Sequence, residues 1–196
     1  MVILIGAESS TGKTLMAQKL LETYKIPYLS ADHLKMGLYR ADKKCGFTPE
    51  DSNEAIEKHL WPILKGIIKT NIENKQSIII EGCYIFPHRL KEFEQEYIAE
   101  IIPVFMGFSQ NYIENNFISG ILKYNSVIEF REAEEDRSAN WFIQAHHKWK
   151  MWCAENEINY FEIDDDYNKG VSKIYQWIAL EIEKRKQPVC TTNRLH

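Results

Sequence analysis

Near the start of the chain, residues 7–14 read AESSTGKT: a small residue and four variable residues, followed by Gly-Lys-Thr. In this spacing the backbone N–H groups can curl around phosphates, and the lysine amine can reach the outer phosphates. The threonine hydroxyl is a ligand for Mg²⁺, and alanine in place of the usual first glycine is an accepted variation. The sequence therefore predicts that ATP and Mg²⁺ bind here, with Thr14 on the metal and with the nucleotide held by Ala7, Glu8, Ser9, Ser10, Thr11, Gly12, Lys13, Thr14 and Leu15.

The residues around this loop predict the elements that position it, an apolar strand over 2–5 and an amphipathic helix over 13–24. Four further apolar stretches alternate with helical patterns, at 25–30, 77–80, 101–106 and 159–163. This alternation is typical of an α/β fold, in which helices cover both faces of a five-stranded parallel sheet. Because Pro103 removes a ladder donor, we expect the fourth strand to pair mostly after it.

The pattern of caps and apolar positions predicts the helices. Thr48 is expected to cap a long helix over 49–74, which Pro62 should kink or interrupt. Further helices are predicted over 33–39, 110–123, 138–156 and 171–184. The aromatic stripe after Ser138 is interpreted as core, and the pair His146-His147 as packed or solvated, because adjacent helix positions do not face one metal ion.

Acidic residues follow three of the predicted strands: Asp32, Glu81 and the run 164–166. In open α/β sheets ligands bind beyond the carboxyl ends of the strands, so these residues are candidates for a site. Asp32 has an alternative role, because aspartate often caps a helix and one is predicted to begin at His33. A carboxylate at the buried position of Glu81 needs a cation, a metal ion or donors nearby. The run 164–166 is expected to form a turn and a helix cap.

The loop, Asp32 after the second strand, the stretch IIIEGCYIFPHR and a basic segment after the fourth strand together resemble the small P-loop kinases of the nucleoside-monophosphate-kinase superfamily. The nearest resemblance is to the branch of zeta-toxin-type kinases, chloramphenicol phosphotransferase and 2-phosphoglycerate-kinase-like proteins. It implies a three-layer P-loop NTPase fold with strand order 2-3-1-4-5, a small mobile lid, and transfer of phosphate from ATP to a small acceptor. It also implies that Asp32 contacts the acceptor, and that Glu81 positions Mg²⁺ through water or contacts the acceptor.

Arginines and Lys13 are the candidates for offsetting charge during transfer. Arg131 and Arg137 lie in the predicted lid, about residues 123–137, although the charged run between them also fits a solvated helix with internal ion pairs. Arg40 and Arg89 could bind an anionic acceptor or be ordinary surface residues. The catalytic candidates are thus Lys13, Asp32, Arg131 and Arg137, and the acceptor-binding candidates are Asp32, Arg40, Glu81 and Arg89.

Composition narrows the class of protein. The 196 residues carry a net charge of -4 and are 44% hydrophobic, which predicts one domain over 1–186 with a flexible tail over 187–196. The acidic balance disfavours nucleic acid as a partner. Four scattered cysteines without a CxxC pair favour the cytoplasm over a secreted or zinc-bound protein, and no apolar run is long enough for a membrane span.

Two functions remain open from the sequence alone. The first is a small-molecule or nucleotide kinase that uses ATP and Mg²⁺. The second is a regulatory or partner-binding module that holds ATP without transferring phosphate, for which Asp32 and Glu81 need not converge. A polynucleotide 5′-end kinase is disfavoured by the acidic balance.

Overall fold

The structure is a computed structural model that describes residues 1–123 and 137–186. Its five strands are β1 (Val2–Gly6), β2 (Tyr28–Ser30), β3 (Ile78–Gly82), β4 (Ile101–Phe108) and β5 (Tyr160–Ile163). The helices are α1 (Lys13–Tyr24), α2 (Ala31–Ala41), α3 (Asn53–Glu73), α4 (Gln95–Ile98), α5 (Gln110–Asn116), α6 (Ala139–Glu155) and α7 (Tyr167–Lys186). A 3-10 helix spans Pro87–Glu92, and a π-helix, Phe117–Leu122, continues α5.

All five strands are parallel, in the order β2-β3-β1-β4-β5, as predicted. The register places Glu81 of β3 between Ile5 of β1 and Ser30 of β2. The carboxyl ends of these three strands therefore meet at one edge of the sheet, where the loop after β1 begins.

Two apolar layers cover the sheet because successive strand side chains point to opposite faces. Ile3 and Ile5 belong to a core that includes residues of α1, α5 and α7. Val2 and Leu4 belong to a second core that includes residues of α3 and α6. This burial on both faces explains why the strands are apolar throughout instead of alternating.

The start predicted for α3 is wrong. The helix begins at Asn53, and its cap is Ser52, whose Oγ accepts a hydrogen bond from the N–H of Ala55 at 3.2 Å. Thr48 instead donates its own N–H to the carboxylate of Asp51 at 2.7 Å, in the turn before the helix.

Pro62 does not interrupt α3, which continues as a single helix of 21 residues. Leu60, Trp61 and Leu64 are buried on both sides of the proline and anchor the helix to the core. Pro62 itself lies on the exposed face, where water can replace the missing hydrogen bond. Packing therefore overrides the local preference.

The pairing of β4 lies mostly after Pro103, as predicted, although pairing with β1 begins before it, at Ile101 opposite Val2. Pro103 lies opposite Leu4, and β5 joins β4 only from Phe105 onward. At Pro103 the strand thus has a strand neighbour on one side alone, so a missing donor can be tolerated.

The predicted lid lies outside the described residues apart from its two ends, as does the predicted tail over 187–196. Across residues 1–123 and 137–186, no helix combines the length and apolar character needed to cross a membrane.

Candidate active site

The loop between β1 and α1 closes on itself through two hydrogen bonds to the carbonyl oxygen of Glu8. Thr11 Oγ1 donates to it at 2.8 Å, and Lys13 Nζ donates to it at 3.0 Å. Gly12 caps α1 in the left-handed region, with φ 87°, which side-chain-bearing residues rarely adopt. The helix therefore begins with its N–H groups directed into the loop, as phosphate binding requires.

Tyr167, at the start of α7, supports the loop from outside and was missed by sequence reasoning. Its hydroxyl donates to the carbonyl oxygen of Thr11 at 3.3 Å. A Cβ on Gly12 would lie 2.0 Å from that hydroxyl, so a larger residue would displace Tyr167 and would also be strained at this positive φ. The contact joins residues 156 positions apart, and no local pattern signals it.

The loop residues fit a nucleoside triphosphate. Ser10 Oγ is buried, and no atom of the described chain hydrogen-bonds to it, which leaves a hydroxyl for a ligand. Burial alone would lower the pKa of Lys13, but interactions with Cys83, Glu81, Asp32 and Glu8 raise it above its usual value, so the amine is cationic. The donor set thus consists of backbone N–H groups, hydroxyls and one charged amine, which matches a polyphosphate, and the Thr14 hydroxyl is suited to Mg²⁺.

Asp32 lies in the first turn of α2, and the alternative role of helix cap does not apply. The helix begins at Ala31 with Ser30 at the cap position. The Oδ1 atom of Asp32 instead accepts hydrogen bonds from Lys35 Nζ and from the Tyr84 hydroxyl, each at 3.1 Å. Lys35 also donates to the Tyr84 oxygen at 2.8 Å, so the three side chains form a closed triangle.

This triangle keeps Asp32 ionised. Burial would raise the pKa of Asp32, but the positive charges of Lys35 and Lys13 and the two hydrogen bonds hold it below its usual value. Lys35 and Tyr84 were both missed by the sequence analysis. The i,i+3 spacing of Asp32 and Lys35 on a helix was a usable signal for the first, whereas Tyr84 lies 52 residues from Asp32.

Glu81 is almost completely buried, with 1% of its surface exposed, at the edge where β1, β2 and β3 end. Its charge contributes to the raised pKa of Lys13, as does that of Asp32. Both predicted acids therefore act electrostatically on the lysine of the loop. Next to them, burial raises the pKa of the Cys83 thiol to about 12, so this group remains neutral.

Arg137 reaches the loop, whereas Arg131 lies outside the described residues. Arg137 donates to Ser9 Oγ at 2.8 Å, and its guanidinium lies 3.8 Å from the Glu8 carboxylate. The guanidinium also packs over the Trp141 ring, 4.3 Å from its centre. A residue at the end of the predicted lid thus contacts the phosphate-binding loop.

Arg89 is bonded to carboxylates of the protein itself, which does not favour the predicted contact with an anionic acceptor. Its guanidinium is hydrogen-bonded by a two-pronged contact to Glu57 of α3 and by a third bond to Glu92. Burial would raise the pKa of Glu92, but the hydrogen bonds from Arg89, Trp61 and Lys65 lower it to about 2. The N–H groups of the Arg89 guanidinium are thus already bonded to two carboxylates. One of them, Glu57, is buried, and a buried carboxylate needs a cationic partner.

Arg40 and Asp32 lie at opposite ends of α2. It is exposed in the last turn of α2, eight residues after Asp32, which corresponds to about 12 Å along the helix. Its role in binding an acceptor remains a prediction.

The other sequence candidates have packing roles. Asp166 caps α7 by accepting a hydrogen bond from the N–H of Lys169 at 2.7 Å, and Asp164 accepts one from Ser109 Oγ.

His146 is buried, and its Nδ1 accepts a hydrogen bond from the N–H of Phe108 at 3.2 Å. Burial and the charge of Lys13 lower its pKa to about 3, so it is neutral. The stripe on α6 is core at Trp149, but Trp141 is 38% exposed and lines a cavity described below.

Several solved structures share this fold. The chain superposes on a shikimate kinase from Bacteroides thetaiotaomicron with a TM-score of 0.56 at 10% identity, covering 91% of this chain and 98% of that one. It superposes on a shikimate kinase from Aquifex aeolicus with a TM-score of 0.51 at 13% identity, covering 95% and 100%. A candidate kinase from Chloroflexus aurantiacus gives 0.54 at 17% identity, covering 92% and 97%.

No family profile and no curated protein matches the chain. At these identities the likeness extends to the fold and does not select a branch or a substrate. Together with the loop, the strand order and the helices on both faces of the sheet, it identifies the chain as a protein with the P-loop NTPase fold in the form that these kinases share.

Proposed function

We propose that this chain is an ATP-dependent phosphotransferase that moves the γ-phosphoryl group to a hydroxyl or phosphate of a small molecule. The observation that carries the proposal is the hydrogen-bonded triangle that fixes the Asp32 carboxylate just after β2, at the sheet edge where Glu81 is buried and the loop with Lys13 begins. A module that only holds ATP needs the lysine, but it has no use for an ionised aspartate held in position by Lys35 and Tyr84.

In this proposal each residue has one task. The loop N–H groups and Lys13 hold the β- and γ-phosphates, and Lys13 offsets charge on the transferring group. Thr14 would hold Mg²⁺, with Glu81 acting through its water, and the ion would supply further charge neutralisation between the phosphates. Asp32 orients the acceptor or takes its proton, and Lys35 and Tyr84 position Asp32.

Arg137 is the described arginine that contacts the loop, and we propose that it stabilises the charge that develops during transfer. Arg131 and closure of a lid remain predictions. We also retain the predictions that ATP and a small acceptor are the partners, that nucleic acid is not, and that the protein is cytoplasmic.

The test is ADP formation from Mg·ATP with a panel of nucleosides, nucleotides, phosphoglycerates and aminoalcohols. We expect acceptor-dependent ADP formation to fall by about 100-fold or more in Lys13→Met and in Asp32→Asn. Lys19→Met is the matched control, because Lys19 is an exposed lysine on the same helix.

Direct ATP binding, measured alongside, separates the two functions that the sequence left open. ATP binding that is tight in the wild type, without turnover of any acceptor in the panel, would contradict the proposal and support a regulatory module. Acceptor-dependent turnover that survives Asp32→Asn would leave phosphotransfer standing and remove Asp32 from it.

A further inference from the structure

A cavity of about 500 Å³ lies between the phosphate-binding loop, the start of α3 and the helix α6. Four aromatic side chains contribute to its walls: Phe86, Trp141, Trp149 and Trp152. Phe86 packs against both Trp149 and Trp152, with ring centres 5.3 and 5.0 Å apart. The cavity therefore has firm, flat walls of the kind that bind a ring-shaped ligand.

The cavity adjoins the loop through two side chains. The Glu8 carboxylate, in a residue only 6% exposed, accepts hydrogen bonds from the N–H of Ser9 at 2.8 Å and from Trp149 Nε1 at 3.4 Å. Arg137, also on the cavity wall, donates to Ser9 Oγ. A molecule in the cavity would thus lie next to the residues that would hold the transferring phosphate.

Negative charge exceeds positive charge among the described residues that line the cavity. Two are cations and four are carboxylates: Arg137 and Lys148 against Glu8, Glu50, Asp51 and Glu54. Each cation already faces a carboxylate, because Lys148 forms an ion pair with Glu54, and Arg137 lies 3.8 Å from Glu8.

This charge balance discriminates between acceptors. A phosphate or carboxylate on the acceptor would enter a space with surplus negative charge and with cations already paired, which is unfavourable. A positive charge would be attracted by the remaining carboxylates and by the faces of the tryptophan rings. The cavity therefore suits a ligand that carries a positive charge on a flat ring.

We propose that this cavity is the acceptor site and that the acceptor is an alcohol carrying a positive charge; the proposal rests on the phosphotransferase function proposed above. The alcohol oxygen forms a bond to the γ-phosphorus while the bond from that phosphorus to the β–γ bridging oxygen breaks, and ADP leaves with the electron pair. The hydroxyl proton passes through a water molecule to Asp32, the base of the proposed function, because Asp32 does not itself line the cavity, and from Asp32 it passes to solvent.

Binding is tested with three benzyl alcohols that differ only in the para substituent: trimethylammonium, methyl or carboxylate. The readout is tryptophan fluorescence in the presence of Mg·ADP, since three of the five tryptophans line the cavity. We expect the trimethylammonium compound to bind tightest and the carboxylate weakest, with a difference that shrinks as salt is raised from low to physiological ionic strength.

Two matched variants test whether charge in this cavity sets the preference. Glu54→Gln and Lys148→Gln break the same ion pair between half-exposed side chains, so any structural effect of losing the pair is common to both. We expect Glu54→Gln to weaken binding of the trimethylammonium compound roughly threefold, and Lys148→Gln to strengthen it by a similar factor.

The possible results separate this inference from the function on which it rests. Tightest binding of the carboxylate compound, or shifts of both variants in the same direction, would overturn the inference while leaving phosphotransfer to be decided by the acceptor panel. If ADP forms only with anionic acceptors, phosphotransfer stands and the cationic acceptor is refuted. If the cation binds as expected but no acceptor yields ADP, the cavity is not an acceptor site.

Discussion

Replacing Arg89 with methionine tests whether this residue is a structural clamp or an anion-binding group. In the variant, Glu57 keeps a buried carboxylate, with 3% of its side chain exposed, but loses a two-pronged partner. Breaking a fully buried pair typically costs about 3 to 5 kcal/mol in unfolding free energy, and since 24% of the Arg89 side chain is exposed we expect about 2 to 4 kcal/mol. For a chain of this length that corresponds to a fall in Tm of about 5 to 15 °C.

The assay is urea denaturation followed by circular dichroism, with two companion variants. Adding Glu57→Gln to Arg89→Met removes the buried charge, so we expect the double variant to be more stable than Arg89→Met alone. Arg40→Met is the control for losing an arginine, because Arg40 is exposed, and its effect should stay within about 0.5 kcal/mol.

Two results would refute this reasoning. An unfolding midpoint for Arg89→Met equal to that of the wild type would show that the ion pair does not support the fold. A double variant no more stable than Arg89→Met would show that the stranded carboxylate is not the cause of any loss. If stability is unchanged while the KM for an anionic acceptor rises, Arg89 is the anion contact that the sequence suggested.

Three further predictions concern the site. In Lys35→Met the pKa of Asp32 should rise, because the positive charge of Lys35 helps to lower it. The acid limb of the pH profile of kcat/KM should then move to higher pH. A limb that does not move would mean that Asp32 is not the titrating group. The Asp32–Lys35 pair stabilises the fold at pH values above 3.8, the ordinary pKa of aspartate, and this stabilisation is lost as the pH falls through the lowered pKa of Asp32. We therefore expect Lys35→Met to reduce the free energy of unfolding at neutral pH but to change it little at strongly acidic pH, as measured by unfolding at a series of pH values. Tyr167→Phe removes the hydrogen bond to Thr11 and should weaken ATP binding about two- to tenfold by calorimetry, at nearly constant Tm. Chelation of Mg²⁺ should weaken ATP binding by at least about tenfold, because the negative charges of Glu81, Asp32 and Glu8 act on the site, and equal affinity with and without the metal would contradict that electrostatic account.

The sequence predicted the parts of this molecule that local patterns encode. The bounds of α1 agree with the structure, and the strand order implied by the family resemblance is the one observed. Errors arose where tertiary packing outweighed local preference. Pro62 is tolerated because buried neighbours hold the helix on either side. The prediction for Pro103 was correct, because most of the pairing of β4 lies after it.

The candidate site was predictable only in part, for a physical reason. Residues on the loop and at strand ends can be placed from the sequence, because the sheet brings strand ends to one edge. Contacts such as Tyr84 to Asp32 and Tyr167 to Thr11 join residues 52 and 156 positions apart, and they depend on how loops and helices pack. The aromatic wall of the cavity was interpreted as core for the same reason, since periodicity locates a face of α6 without showing what faces it.

The strand order itself explains the charges around Lys13. With β3 between β2 and β1, the acids associated with these three strands come together, since neighbouring strands lie about 5 Å apart. Burial would lower the pKa of a lysine at this position and weaken its binding of phosphate, but the pKa of Lys13 is raised, and the charges of Glu81, Asp32 and Glu8 contribute to that rise together with Cys83. An acid at each of these strands thus keeps the buried lysine cationic, which is the property that phosphate binding requires of it.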